Sequence, residues 1–222
     1  MAVIGIVPAA GSATRLQPLQ GSKEMYSVGG RAAMDYVLER MRAAPCADIR
    51  VVTRPEKTDV VAHAEAQDAT VVLGSPQSVA ESFLLGARGA DADDILLLGF
   101  PDTIWEPPDG FAQVVAALGE GADVALGLFT TAEPERCDVA LLGEGGRVTR
   151  VLVKPLSPPS EVIWGCAALR ARVGADLAPA DELGTSFDRL SREGRVAGVF
   201  LSAEYTDIGT KEALARLAPG QR

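Results

Sequence analysis

The chain has 222 residues, 47% of them apolar, with 30 acidic against 21 basic side chains and a formal net charge of −9. That length supports a substantial core in a single domain over residues 1–222, and an acidic chain without a basic stripe excludes nucleic acid as the expected partner. No apolar run approaches a membrane span and no basic leader precedes one, so a cytoplasmic protein with no membrane partner is expected.

In chain order, residues 2–7 are a continuous apolar run, as expected of a strand buried on both faces. Residues 32–44 place Met34, Val37, Leu38 and Met41 at helical spacing. A short strand is read at 49–53, a helix at 59–67, a strand at 70–73, a helix at 78–87 and a central strand at 94–98. Residues 111–118 return to helix and 122–129 to strand. This alternation implies an α/β fold with a parallel sheet and helices on both faces. After Phe129 the rhythm changes to strands at 139–142, 148–153 and 162–169, linked by Gly-rich and Pro-rich turns. A helix at 186–193, a strand at 196–201 and a last helix at 211–217 complete the reading. Residues 1–130 therefore read as a nucleotide-binding half and residues 131–222 as a half that holds the other substrate.

The side chains able to carry chemistry are few. Three cysteines, Cys46, Cys137 and Cys166, show no C-x-x-C spacing and read as idle thiols. His63 is the one histidine, which argues against a His-rich metal site and a Ser-His-Asp triad. Lysine is scarce beside arginine, at positions 23, 57, 154 and 211, so a lysine kept in a motif suggests a compact ammonium at a phosphate.

The first strand runs into Ala10-Gly11-Ser12-Ala13-Thr14-Arg15, followed by Ser22-Lys23. Small residues let backbone N–H groups approach an anion, and the two cations add charge that amides cannot supply. The stretch reads as a nucleotide phosphate loop. It lacks the Gly-Lys pair of a Walker A motif and the glycine spacing of a dinucleotide fingerprint. It resembles the signature of the sugar-1-phosphate nucleotidylyltransferases, the thymidylyl- and uridylyltransferases of glucose 1-phosphate among them, with Ala13 in place of the second glycine.

Later segments fall in that family's order. Asp102, after the strand at 94–98, and Asp207, in Tyr205-Thr206-Asp207-Ile208-Gly209-Thr210, match its two metal-binding carboxylates, although Phe100 and Pro101 intervene before Asp102. Lys154-Pro155 matches the Lys-Pro pair that contacts the sugar phosphate, with Val153 where the family has a sugar-binding Glu. Trp164-Gly165 falls where a glycine approaches the sugar, and Glu81 occupies the place of a base-reading Gln. A carboxylate accepts from the ring N–H of uracil or thymine but also from an amino group, so the base stays open, with a pyrimidine favoured.

The resemblance implies a Rossmann-like nucleotide-diphospho-sugar transferase fold with a mixed, mostly parallel sheet. It also implies Mg²⁺-dependent transfer of a nucleotidyl group from an NTP, dTTP or UTP, to a sugar 1-phosphate. Arg15, Lys23 and Lys154 would be catalytic; residues 10–14 (Ala10, Gly11, Ser12, Ala13, Thr14) and Glu81 would bind nucleotide. Trp164 and Gly165 would bind the acceptor, and Asp102 and Asp207 the metal. The chain ends soon after the last motif, so no appended β-helix is expected. A homodimer is one option for the assembly. Two alternatives stand beside this reading: a cytidylyltransferase for a non-sugar phosphorylated or phosphonate acceptor, and a nucleotide-binding module without turnover.

Overall fold

At the centre of the sheet lies β1 (Val3–Pro8), whose four middle residues are buried, as the unbroken apolar run requires. The computed structural model describes residues 1–11, 21–119 and 121–209, so Ser12, Ala13, Thr14 and Arg15 and the expected helix at 211–217 lie outside the described residues. A small hairpin follows, β2 (Ser27–Val28) with β3 (Arg31–Ala32), and leads directly into α1 (Ala33–Ala43). Then come β4 (Asp48–Thr53), α2 (Thr58–Ala66), β5 (Thr70–Leu73), α3 (Val79–Gly86) and β6 (Ile95–Gly99). The two-residue hairpin strands carry no apolar alternation long enough to announce themselves.

The remaining elements are β7 (Thr103–Trp105), α4 (Gly110–Ala116), β8 (Val124–Thr130), β9 (Val139–Leu142), β10 (Val148–Leu152), β11 (Val162–Arg170), α5 (Leu183–Arg192), β12 (Val196–Ser202) and β13 (Tyr205–Asp207). Among the described residues the main sheet has nine strands. The parallel set β5-β4-β1-β6 is joined to the pair β8-β12 through the reversed strand β11. Strands β10 and β11 run against the other seven, so the sheet is mixed and mostly parallel, as expected. One core layer, with Met34, Leu38, Phe111 and Phe129, fills one face, and another, with Ile6, Phe83, Leu98 and Phe187, fills the opposite face.

The helix expected at 186–193 begins three residues earlier, at Leu183, after the extended residue Glu182. Gly184 in its first turn disguised the start, since glycine weakens a helical reading. It serves close approach instead: a Cβ there would lie 2.3 Å from Asp138 Oδ2 and 3.0 Å from a methyl of Val153. Strands β7 and β13 form a separate antiparallel ribbon that pairs Asp207 with Thr103. Neither three-residue segment is readable as a strand from pattern alone.

Candidate active site

In an open parallel sheet, ligands gather beyond the carboxyl ends of the strands. Here the segments leaving β1, β4, β5 and β6 all open onto one cavity of about 720 Å³, a size ordinary for a small-molecule site. Ala10 and Gly11 after β1, Arg54 after β4, Gln77 and Ser78 after β5, and Asp102 after β6 all line it.

The loop after β1 is held from below. Ala9 N–H donates to Val52 at 2.8 Å. Lys57 donates to the carbonyls of Ala9 (2.7 Å) and Gly11 (3.1 Å), and Arg54 donates through Nε to Ala10 (2.9 Å) and through Nη2 to Pro76 (3.0 Å). Carbonyl oxygens directed to these two cations are kept away from an anion in the cavity. Lys57 also pairs with the fully buried carboxylate of Glu24 at 2.7 Å. Burial pushes the Glu24 carboxyl up, and the Lys57 ammonium opposes that rise. Neither Arg54 nor Lys57 nor Glu24 was a candidate from sequence. The scarcity of lysine was the one available signal for Lys57.

Lys23 reaches over Gly11 and donates to Asp102 Oδ2 at 2.5 Å. Burial tends to lower its pKa, but the Asp102 carboxylate, with Glu24 and Asp207 behind it, raises it beyond the ordinary lysine value. Lys23 is therefore a charged ammonium at neutral pH. The β7–β13 ribbon brings the second carboxylate in. Ile208 N–H donates to the Asp102 carbonyl at 2.9 Å, and Gly209 N–H donates to Asp207 Oδ1 at 2.6 Å. A Cβ on Gly209 would lie 2.8 Å from Asp207 Oδ1 and 3.7 Å from Asp102 Oδ2. The two acidic side chains, 105 positions apart by number, thus both border Gly209 and line the same cavity.

At the far end, Lys154 donates to both oxygens of Glu182, at 2.8 and 2.5 Å, where both side chains are half exposed. Trp164 forms a wall here, with its ring 5.7 Å from Phe100 and 5.1 Å, edge-on, from Phe187. Asp138, not anticipated from sequence, also lines this end. Burial raises its carboxyl to about 6, against the lowering pull of Lys154.

Two candidates are placed differently. Glu81 is turned back on its own helix: its N–H donates to Ser78 Oγ at 2.9 Å, and its carboxylate accepts from Gln77 N–H at 2.7 Å. That is helix capping, and Gln77, Ser78 and Ser82 line the cavity where Glu81 does not. Gly165 lies one residue behind the wall. A Cβ there would meet the Tyr205 ring at 2.4 Å and Phe129 at 2.9 Å, so its hydrogen gives room for Tyr205, which itself lines the cavity.

A family model, the MobA-like NTP transferase domain, matches residues 5–176. The chain belongs to that family. Among curated proteins it is 28% identical to the bifunctional protein GlmU of Azorhizobium caulinodans, over 97% of this chain and 52% of that one. It is 27% identical to glucose-1-phosphate thymidylyltransferase of Mycobacterium tuberculosis, over 70% and 57% of the two chains. The chain thus spans about half the length of these relatives. Among solved structures, a Bacillus anthracis protein described as a glucose-1-phosphate thymidylyltransferase, with sucrose bound, superposes with a TM-score of 0.86 at 20% identity, covering 100% of this chain and 96% of that one. UDP-glucose pyrophosphorylase from Acinetobacter baumanii gives 0.82 at 16% identity, covering 98% and 92%. These two establish the shared fold. Among the described residues no helix is long and apolar enough to cross a membrane.

Proposed function

We propose that this protein transfers a nucleoside monophosphate from an NTP to a sugar 1-phosphate, giving an NDP-sugar and pyrophosphate. The observation that carries the reading is a single cavity lined by Lys23, Lys154, Asp102 and Asp207. An oxygen of the acceptor phosphate attacks the α-phosphorus, the bond to the bridging oxygen of the β-phosphate breaks, and pyrophosphate leaves with the electron pair. The attacking oxygen is already anionic near neutral pH, so no general base is required. That agrees with a wall whose charged groups are lysines, arginines and carboxylates. The task left to the protein is positioning two anions and neutralising charge at the α-phosphate.

Lys23, held charged by Asp102, and Arg15 are assigned to the triphosphate, together with the loop at 10–14. Lys154 is assigned to the acceptor phosphate, exchanging Glu182 for it. Two hard oxygen donors bordering the same glycine in one cavity suit Mg²⁺, which is typically held by one or two carboxylates and substrate phosphate. Among the described residues no group of three or more His, Cys, Asp and Glu is assembled, so substrate oxygens would complete the shell. Bound there by Asp102 and Asp207, the ion would supply Lewis-acid charge at the nucleotide phosphates.

Since Glu81 caps its helix, base reading falls to Gln77: one amide N–H is held by the Ser75 carbonyl at 2.7 Å, and the other N–H with the amide oxygen can still donate and accept, which suits uracil or thymine. UTP and dTTP are the proposed donors. A second reading, cytidylyl transfer to a non-sugar phosphorylated acceptor, is favoured by Val153, which packs towards Gly184 in place of a sugar-binding carboxylate. Pyrophosphate release measured across the common NTPs and a panel of hexose 1-phosphates and non-sugar phosphates separates the two. Release confined to UTP or dTTP with hexose 1-phosphates supports the proposal, and release with no pair refutes it.

A further inference from the structure

Lys23 carries its charge on a flexible four-carbon stem, and its backbone belongs to a single helical turn, Lys23–Met25. Met25 N–H donates to Ser22 (3.0 Å) and Tyr26 N–H to Lys23 (3.1 Å), and one isolated turn does not hold itself in place. Its flanks supply the hold. Ser22 precedes the turn, where a serine hydroxyl ordinarily accepts from helix N–H groups, but here it makes no such bond. Asp59 takes both of its donors instead: the Ser22 N–H at Oδ2 (2.8 Å) and the hydroxyl at Oδ1 (2.8 Å). Gly21, at φ +82°, makes room, since a Cβ there would lie 3.2 Å from Asp59 Oδ2. On the other side of Lys23, Glu24 is bound by Lys57 at 2.7 Å. Lys57 and Asp59 stand where the chain enters α2, so this one helix grips the turn on both flanks of Lys23. The helix is itself fixed: Val60 and Ala64 are buried, and His63 Nε2 lies 2.6 Å from Asp35 Oδ1 on α1. Lys23 lines the cavity, whereas Ser22 and Asp59 do not.

We propose that Asp59 is a positioning residue for Lys23: it fixes Ser22 by two hydrogen bonds and thereby sets where the neighbouring ammonium stands beside Asp102. It acts through geometry rather than charge. Burial lowers the Lys23 pKa, and the carboxylates that outweigh burial are Asp102, Glu24 and Asp207, with Asp59 not among them. Burial likewise tends to raise the Asp59 carboxyl, but the Ser22 N–H and hydroxyl and the Val60 N–H bring it below the usual carboxylate value. Both its oxygens are therefore acceptors at neutral pH. An amide has the same outline. Its oxygen accepts the Ser22 N–H and its NH₂ donates to the hydroxyl oxygen, which reverses one bond and keeps the spacing. An alanine keeps neither bond. This inference rests on the proposal that Lys23 serves the triphosphate, and it deepens that proposal by naming what aims the charge.

The test uses the full chain labelled with carbon-13 in its four lysines, with Lys23→Met and Lys154→Met assigning those two side-chain signals. Without ligand, Asp59→Ala should move the Lys23 signal and leave that of Lys154 in place, while Asp59→Asn should leave both. Ser22→Ala, which keeps the N–H bond, should move the Lys23 signal by less, and it decides the matter where Asp59→Ala does not fold. In pyrophosphate release from UTP or dTTP with glucose 1-phosphate, Asp59→Ala should lower kcat by up to about 10²-fold, the cost of misplacing a catalytic group by about 1 Å. Asp59→Asn should restore most of that loss. In a Lys23→Met background Asp59→Ala should cost nothing further, because the two residues act as a unit. Losses that multiply in that background would mean a merely structural role and overturn the proposal. So would an unmoved Lys23 signal in folded Asp59→Ala, or an Asp59→Asn variant as impaired as Asp59→Ala. Should no substrate pair release pyrophosphate, the transferase reading falls and the Lys23 signal alone decides this one. Release by a protein whose Lys23 signal ignores Asp59 keeps the transferase reading and refutes the positioning role.

Discussion

Replacing Lys57 by Met keeps the aliphatic stem and removes one charge. In the native protein that ammonium donates to Ala9, Gly11 and Glu24, with Lys57 itself 13% exposed and Glu24 not at all. The Lys57→Met variant leaves a carboxylate buried without its counter-ion. Breaking such a pair from one side costs about 3–5 kcal/mol. At about 2–4 °C per kcal/mol for a chain of this length, Tm should fall by about 10 °C. The pH dependence has a definite sign. Burial already raises Glu24 above its unfolded value, and losing Lys57 raises it further. A group of that kind contributes stability fully present below its unfolded pKa and lost as pH rises through the folded one. The deficit of the variant relative to the parent should therefore be small near pH 5 and largest near pH 8. Urea unfolding at both values measures it. The double variant Lys57→Met, Glu24→Gln should recover most of the loss, because no buried charge remains. A deficit under about 0.5 kcal/mol, or one equal at both pH values, would refute the account.

Three further outcomes follow from the same geometry. Asp102→Asn and Asp207→Asn should each lower Mg²⁺-supported pyrophosphate release by about 10²–10³-fold, the cost of a lost transition-state charge partner, while the unfolding midpoint moves little; unchanged turnover in either removes the metal assignment. Gly165→Ala drives a methyl to 2.4 Å from the Tyr205 ring, so overpacking should cost about 1–3 kcal/mol and displace the ribbon that carries Asp207; thermal unfolding together with a Mg²⁺ titration of activity detects both. Asp138, raised by burial to about 6 from 3.8, withdraws stability as pH climbs through that interval. Asp138→Asn should abolish this slope, worth at most about 3 kcal/mol at about 1.4 kcal/mol per pKa unit, and a stability-pH curve parallel to the parent's would contradict it.

The residues that announced themselves did so through local chemistry. β1 and β6 are unbroken apolar runs because both their faces are covered, and the polar residues just beyond each had to lie at the sheet's carboxyl edge. Lys23, Asp102, Asp207, Lys154 and Trp164 were accordingly legible one at a time, and they share one cavity. What pattern could not convey was any arrangement made by chain segments crossing. Lys57 and Arg54 act on carbonyls more than forty positions earlier, and Asp138 owes its place to the missing side chain of Gly184. Glu81 is the instructive case, because the contrary signal was local. Ser78-Val79-Ala80-Glu81 has the spacing of a capping box, and a carboxylate spent on closing a helix terminus is not available to a base. Once Glu81 is removed from the cavity, the wall at that end keeps the neutral amide of Gln77 and the hydroxyls of Ser78 and Ser82. The negative charge is concentrated instead around Asp102 and Asp207, beside Lys23, and around Asp138 and Glu182, beside Lys154. Each ammonium is thus poised against a carboxylate that, in the proposed reaction, an incoming phosphate would displace or share, and that competition would couple occupancy of the site to its charge balance. On the proposed reading, a substrate bringing phosphate without a compensating cation would meet the carboxylates at both ends, which is the physical argument for a divalent ion entering with the nucleotide.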